Sequence, residues 1–341
     1  MFSFSALTLV LAVAKANAID RRQLAPAEST VASASASAVT SLSQSTISQD
    51  TAALNVDTSD YYLGYREADF QKPYAKYALP PSGLKAYSQE AMLITASHTN
   101  RYYNPVVAPL SDALVNGLTG SPWPSAFTYS AWEAHDYYTR PGYLELENGY
   151  AISENGTLMI AVRSEIPQVT GEQYDWWFGW HSVETARYKL WNPIAHQYSY
   201  RTPFSEDWAN QSYAERYIGA TSYIDEYVGN DAAKLSIEFV HPESLGFNTT
   251  AWPELGIETI VIGKVMIGNY STTEFDDTSY LMHQVRRMPN GYRELRSRFF
   301  IAAGNHGTAQ LGHDLAVHCN IEMTHLGAFL PAIFEEFKGT L

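Results

Sequence analysis

Cysteine is nearly missing from the 341 residues. Cys319 stands alone, so no intramolecular disulfide can form and stability must come from the core. Basic side chains are scarce too: 22 Lys and Arg face 36 Asp and Glu, a formal charge of −14 that argues against nucleic acid and anionic membrane as partners. Beyond the first 18 residues no stretch reaches the roughly 18 uninterrupted apolar residues of a spanning helix, so a soluble mature chain is expected. Several catalytic signatures are also absent. There is no G-x-S-x-G elbow, no P-loop and no dinucleotide fingerprint. No H-E-x-x-H is present either, since His318 is followed by Cys319, which leaves a zincin protease without support.

What is present is a core. The chain is 45% hydrophobic and 13% aromatic, ample for one large folded unit. Residues 1–18 combine a short apolar run with Ala16-Asn17-Ala18, the pattern of a cleaved signal peptide and hence of secretion. Residues 19–59 read as a Ser/Ala/Thr-rich disordered leader. They open on the dibasic pair Arg21-Arg22, as in a fungal secretory precursor, and hold too few large apolar side chains to offset ordering entropy. Losing residues 1–22 would take the charge to −16. The sequons at Asn155, Asn210, Asn248 and Asn269 agree with a secreted, N-glycosylated protein.

From about residue 60 onward no linker or repeat is visible. Residues 60–150 form a Tyr- and Pro-rich portion with one helix near 84–95, and 151–341 carry the catalytic portion. Strands are expected at 157–166, 221–229, 234–242 and 258–268, where β-branched and aromatic residues concentrate. Residues 279–302 form a hairpin about a tight Asn290-Gly291 turn. A long amphipathic helix over 313–334 follows, kinked or ended near Pro331. Strands followed by a terminal helix indicate an α+β fold with an antiparallel sheet gripping that helix.

The helix has a patterning defect. At 100° per residue Leu311, Leu315, His318, Glu322, His325 and Phe329 share one stripe, so a carboxylate and two imidazoles fall on the buried side. Period-two alternation puts Glu226 inward with Ile224 and Val228, leaving Asp225 outward, and puts His283 inward with Leu281 and Val285. The apolar set Leu235, Ile237, Phe239 ends at His241. Buried carboxylates need a proton, a cation or a metal. The His318–Glu322 pair, four apart on one helix face, can share one ion with ligands from a strand and a loop. Imidazole and carboxylate donors suit Zn²⁺ ahead of Fe²⁺ or Mn²⁺. The competing reading is a set of hydrogen-bonded core histidines. A second block, "YDWWFGWHSVETARYKLWNPIAHQY" (174–198), reads either as aromatic core or as a flat wall for a planar phenol.

Five segments in order carry a resemblance: "WWFGWH" (176–181), "RYKLWNPIAH" (187–196), "YIDEYVG" (223–229), "HQVRRMPNGYRELRSRFF" (283–300) and "HCNIEMTHLGAFLP" (318–331). Together they resemble the phloretin hydrolase and 2,4-diacetylphloroglucinol hydrolase family over roughly residues 60–335. The resemblance implies a helix-grip fold of the birch-allergen type with an added amino-terminal portion. It also implies a zinc held by His196, Glu226, His318 and Glu322. The implied reaction is hydrolysis of the carbon–carbon bond between an acyl group and a phloroglucinol-type ring, with Glu226 beside the reacting atoms. Tyr188 is the candidate to bond a phenolic or carbonyl oxygen, and His283 the candidate for proton transfer or for holding a ring hydroxyl. His181, the alternative to His196 as ligand, falls with His241, His306 and His325 in a second tier where structural roles are expected. The partner implied is an acylated phenolic small molecule. Two other readings stand beside this one: a non-catalytic phenolic or polyketide carrier of the same fold, and a metal-dependent retro-Claisen or lyase enzyme.

Overall fold

The computed structural model describes residues 99–104, 106–201, 208–229, 231–267, 278–305 and 307–340. The expected signal peptide, leader and helix near 84–95 lie outside the described residues, as do Asn269 and His306.

An eight-stranded, wholly antiparallel sheet organises the chain, in the order β1-β2-β8-β7-β6-β5-β4-β3. The strands are β1 (Gly149–Ile152), β2 (Leu158–Glu165), β3 (His196–Arg201), β4 (Thr221–Val228), β5 (Asp231–Val240), β6 (Ile257–Ile267), β7 (Ser279–Arg287) and β8 (Arg293–Ile301). Helices α1 (Asp112–Thr119) and α2 (Ala134–Tyr138) precede the sheet. Helices α3 (Gly171–Trp180) and α4 (Thr185–Trp191) bridge β2 to β3, and α5 (Ala309–Phe337) closes the chain. Among the described residues no helix is long and apolar enough to cross a membrane.

Local chemistry sets the helix starts. Thr308 caps α5 by accepting a hydrogen bond from the Leu311 amide, and Thr170 and Gln173 form a reciprocal capping box on α3. The β7–β8 connection spans residues 288–292, longer than a two-residue turn. Gly291 takes the left-handed conformation at φ 83°, while Asn290 Oδ1 accepts from the Tyr292 amide. Pro331 does not end α5, which continues to Phe337.

The inner face of the sheet grips α5. Ile160, Val162, Ile237, Val261, Val285 and Leu295 pack with Ala316, Cys319, Met323, Leu326 and Leu330 of the helix, the helix-grip arrangement. The outer face is covered as well. Met159, Ala161, Ile260, Ile262, Met282 and Phe300 pack beneath Tyr129, Ala134, Tyr138 and Leu146 from the segment that precedes β1. This cover buries outward polar residues such as Gln284, Arg296 and Arg298, which the sequence pattern places in solvent. Asp225 on β4, expected to point outward to solvent, is a correction. It does face away from Ile224 and Glu226, but it is fully buried. Its cross-strand neighbour Lys234 sits with Nζ 2.9 Å from Oδ1 and removes the need for water.

Candidate metal centre

Three elements converge at one end of the groove between sheet and helix. Glu226 lies on β4 directly opposite His196, the first residue of β3, where a register shift between His196 and Tyr198 ends regular pairing. His318 and Glu322 descend from successive turns of α5. His196, Glu226 and His318 offer ligand atoms that all lie within 4.8 Å of one another, and all three are buried. A fourth side chain, the second carboxylate, adjoins them: Glu322 Oε2 is 3.3 Å from His196 Nε2 and 3.5 Å from His318 Nε2. Glu226 Oε2 is 3.6 Å and 3.9 Å from the same two nitrogens. Two ligands each about 2.0 Å from one tetrahedral ion stand roughly 3.3 Å apart, so side chains at these spacings could hold one metal ion after a small contraction.

The nitrogens are aimed. His196 Nδ1 lies 2.9 Å from the Tyr188 carbonyl oxygen and His318 Nδ1 lies 2.9 Å from that of Tyr227. A carbonyl only accepts, so each Nδ1 carries a proton and each ring turns its Nε2 toward the cluster. His196 Nε2 is buried without a hydrogen-bond partner, the orphaned acceptor an ion would satisfy. Burial alone would push His318 down, but Glu226 and Glu322 outweigh it and raise its pKa to about 9. Burial would push the Glu322 carboxyl up, but His318 and His196 hold it at about 2. Two enclosed carboxylates thus draw positive charge, which a metal ion could supply.

Tyr188 sits behind the ligands. Its ring stacks on His196 with centroids 3.7 Å apart at 8°, and its hydroxyl donates to Glu226 Oε2 at 2.6 Å. One residue therefore orients two ligands, through its carbonyl and its hydroxyl. Tyr188→Phe is expected to keep the fold and weaken metal affinity about 10- to 100-fold, as loss of a ligand-orienting partner does. Competition with a fluorescent chelator measures this.

The cluster opens into a cavity of about 340 Å³. Its walls are apolar, with Ile224, Leu235, Ile237, Phe239, Leu281 and Phe299 prominent. Asp231, Thr308 and Gln310 line it and are exposed, which sets its mouth between the β4–β5 hairpin and the start of α5. His283 lines it too, away from the ligand cluster. Its Nδ1 is 2.8 Å from the Ser297 hydroxyl across β7–β8, and burial lowers its pKa to about 4.

The aromatic block divides between the two readings the sequence offers. Trp176, Trp177 and Trp180 are core, while Phe178, His181, Tyr188 and Trp191 form a cavity wall. His181 lies in that wall outside the ligand cluster, with the Tyr188 ring between it and His196. His325 is buried edge-on to Phe329 away from the cavity, and His241 is exposed before a short 3-10 turn. Sequence reasoning missed one partner and, at Tyr188, one role. Ser297, which sets His283, is a serine on an inward strand position, a visible signal once the hairpin register is drawn. The double support that Tyr188 gives depends on tertiary placement and leaves no sequence mark.

The fold and the cluster define a class: a helix-grip protein with a buried two-His, two-Glu cage at the end of an apolar pocket. Residues 130–335 match the family described as "DAPG hydrolase PhiG domain", and the chain belongs to that family. A 2,4-diacetylphloroglucinol hydrolase of Pseudomonas protegens is 27% identical over 297 residues, covering 80% of this chain and 94% of the relative. A phloretin hydrolase of Eubacterium ramulus is 26% identical over 248 residues, covering 70% and 90%. Among solved structures, Ara h 8.0201 aligns over 52% of this chain and 99% of its own, at 8% identity and a TM-score of 0.33.

Proposed function

We propose that the protein is a secreted, zinc-dependent hydrolase that cleaves the bond between an acyl carbon and a phenolic ring, releasing a carboxylic acid and the phenol. The observation that carries this is the cluster itself: two buried imidazoles with Nε2 turned toward two carboxylates, opening on a pocket sized for a small aromatic ketone. Family membership and the two hydrolase relatives support the substrate class.

His196, Glu226, His318 and Glu322 would hold the ion, and the donor set of two nitrogens and two oxygens suits zinc. A zinc ion there supplies Lewis acidity toward an acyl carbonyl and lowers the pKa of water. The chain's own residues do the rest. The apolar walls exclude bulk water and leave a planar ring few poses. Tyr188 keeps Glu226 in place through its hydroxyl. His283, neutral at working pH, offers a donor or acceptor at Nε2 according to how the Ser297 hydroxyl turns, so it can hold a ring hydroxyl or move a proton. A phloroglucinol-type ring is a competent leaving group because protonation of the departing carbon lets the hydroxyls carry the charge.

Elemental analysis with a panel of acylphloroglucinols and phloretin tests the proposal. One equivalent of metal and chelator-sensitive acyl release are expected. Metal-free protein, or binding of these ketones with no product, would overturn it in favour of a carrier. Secretion is supported by the sequons at Asn155, Asn210 and Asn248, all exposed. A mass shift on enzymatic deglycosylation checks it.

A further inference from the structure

His181 is a histidine that the proposed chemistry leaves unused. It belongs to a stack of four rings, Trp177, His181, Tyr188 and His196, whose successive centroids lie 5.1, 5.9 and 3.7 Å apart at 17°, 24° and 8°. His181 is 4% exposed, and that residual surface opens on the cavity. Its Nδ1 is 2.7 Å from the Trp177 carbonyl oxygen, one helical turn back on α3. The carbonyl can only accept, so Nδ1 holds the proton. Burial lowers the pKa to about 3 and keeps the ring neutral. Nε2 is then a bare lone pair with no hydrogen-bond partner among the described residues, and rings on both faces fix its direction.

The contrast with His283 is informative. The Ser297 hydroxyl can give or take a proton, so His283 adapts to either kind of ligand atom. His181 cannot adapt. Its tautomer is set by an obligate acceptor, so it can bind only a donor, and a buried fixed acceptor facing a ligand ether would leave two lone pairs opposed. The two histidines flank Phe178, with ring centroids 5.5 and 6.2 Å from it, and His181 is separated from the cage by the Tyr188 ring.

We infer that His181 selects for a free phenolic hydroxyl remote from the acyl group, which donates to its Nε2. The ring then enters first, the carbonyl meets the cage, and the acyl tail trails toward the mouth past Ala232, Leu311 and Leu315. This rests on the proposed acylphenol hydrolysis for its ligand class. It goes further in assigning the ring's orientation and the hydroxyl that is read.

The test uses the metal-loaded full chain and compares wild type, His181→Leu and His181→Gln, whose side-chain oxygen can stand in as acceptor. One arm measures acyl release from 2,4,6-trihydroxyacetophenone and from its 4-O-methyl ether. Wild type is expected to favour the free phenol at least about ten-fold in kcat/KM, because a site built to pair a hydroxyl rejects its blocked analogue. His181→Leu should erase that preference and His181→Gln should retain most of it, with metal content unchanged in both. The second arm needs no catalysis: tryptophan fluorescence titrations with 1,3,5-trihydroxybenzene and 1,3,5-trimethoxybenzene should show the same preference and the same loss. If no ketone is cleaved, the proposed function fails while the titrations still decide the role of His181. A hydroxyl preference unchanged in His181→Leu overturns the inference.

Discussion

Glu322→Ala is expected to purify with less than one-tenth of an equivalent of metal and to lose at least about a thousand-fold of acyl release, because the Lewis acid is lost with the ligand. The geometry makes this position more damaging than its neighbours. Glu322 Oε2 is within 3.5 Å of both imidazole nitrogens, so its removal opens the cage on two sides. It also removes one of the two carboxylates that draw positive charge into a buried site. His325, three residues further along α5, supplies the control. It shares the helix stripe but does not reach the cavity, so His325→Gln should leave metal content and acyl release within about three-fold of wild type. Plasma emission spectrometry on dialysed protein, paired with product assay, reads both variants.

The second large effect lies on the far side of the sheet. Glu147, just before β1, accepts hydrogen bonds from Arg296 Nη2 at 2.6 Å and Arg298 Nη2 at 2.7 Å, and both arginines are fully buried. Tyr138 donates its hydroxyl to the Arg296 carbonyl, and Gln284 Oε1 accepts from Arg296 Nη1. This network joins the segment over the outer face to β7 and β8. Glu147→Ala would leave two guanidinium charges without their carboxylate. The expected loss is about 3–5 kcal/mol, as for other broken buried ion pairs. That corresponds to a fall in Tm on the order of 10 °C for a domain of this size. The pH dependence has a definite sign. Burial alone would raise the Glu147 carboxyl, but Arg298 and Arg296 hold it at about 2 against an ordinary value of 4.5. Its contribution is therefore complete above pH 4.5 and fades as pH falls toward 2. Over that interval wild type should lose more Tm than Glu147→Ala, and calorimetry at stepped pH measures the difference.

The placement of strands and helix was legible in the sequence because period-two and period-3.6 patterns are written locally. The expected β4, β6, hairpin and closing helix match the observed spans to within a few residues, as at Thr221–Val228 and Ile257–Ile267. The inward phases of Glu226, His283, His318 and Glu322 were legible for the same reason, and all four side chains line the one cavity. Strands β1 and β3 were not, since four or six residues without clear alternation carry little periodic signal. Helices α3 and α4 were hidden by their burial: the aromatic second half of α3 is buried throughout, and all seven residues of α4 are buried, Arg187 and Lys189 included, so neither shows a clean amphipathic stripe. Asp225 misled because a carboxylate paired across strands looks, in sequence, like a solvated one. The stacking of His181 on Tyr188 and the two bonds of Tyr188 join residues 7, 8 and 38 apart and come from tertiary packing that no spacing rule encodes.

The most direct measurement of the central claim is mass spectrometry of the products when metal-loaded protein acts on an acylphloroglucinol in ¹⁸O-labelled water. Hydrolysis at the cage requires one labelled oxygen in the released carboxylic acid, the free ring as coproduct, and loss of both on chelation with return on adding one equivalent of zinc. An acid without solvent oxygen, or undiminished release after chelation, would contradict it.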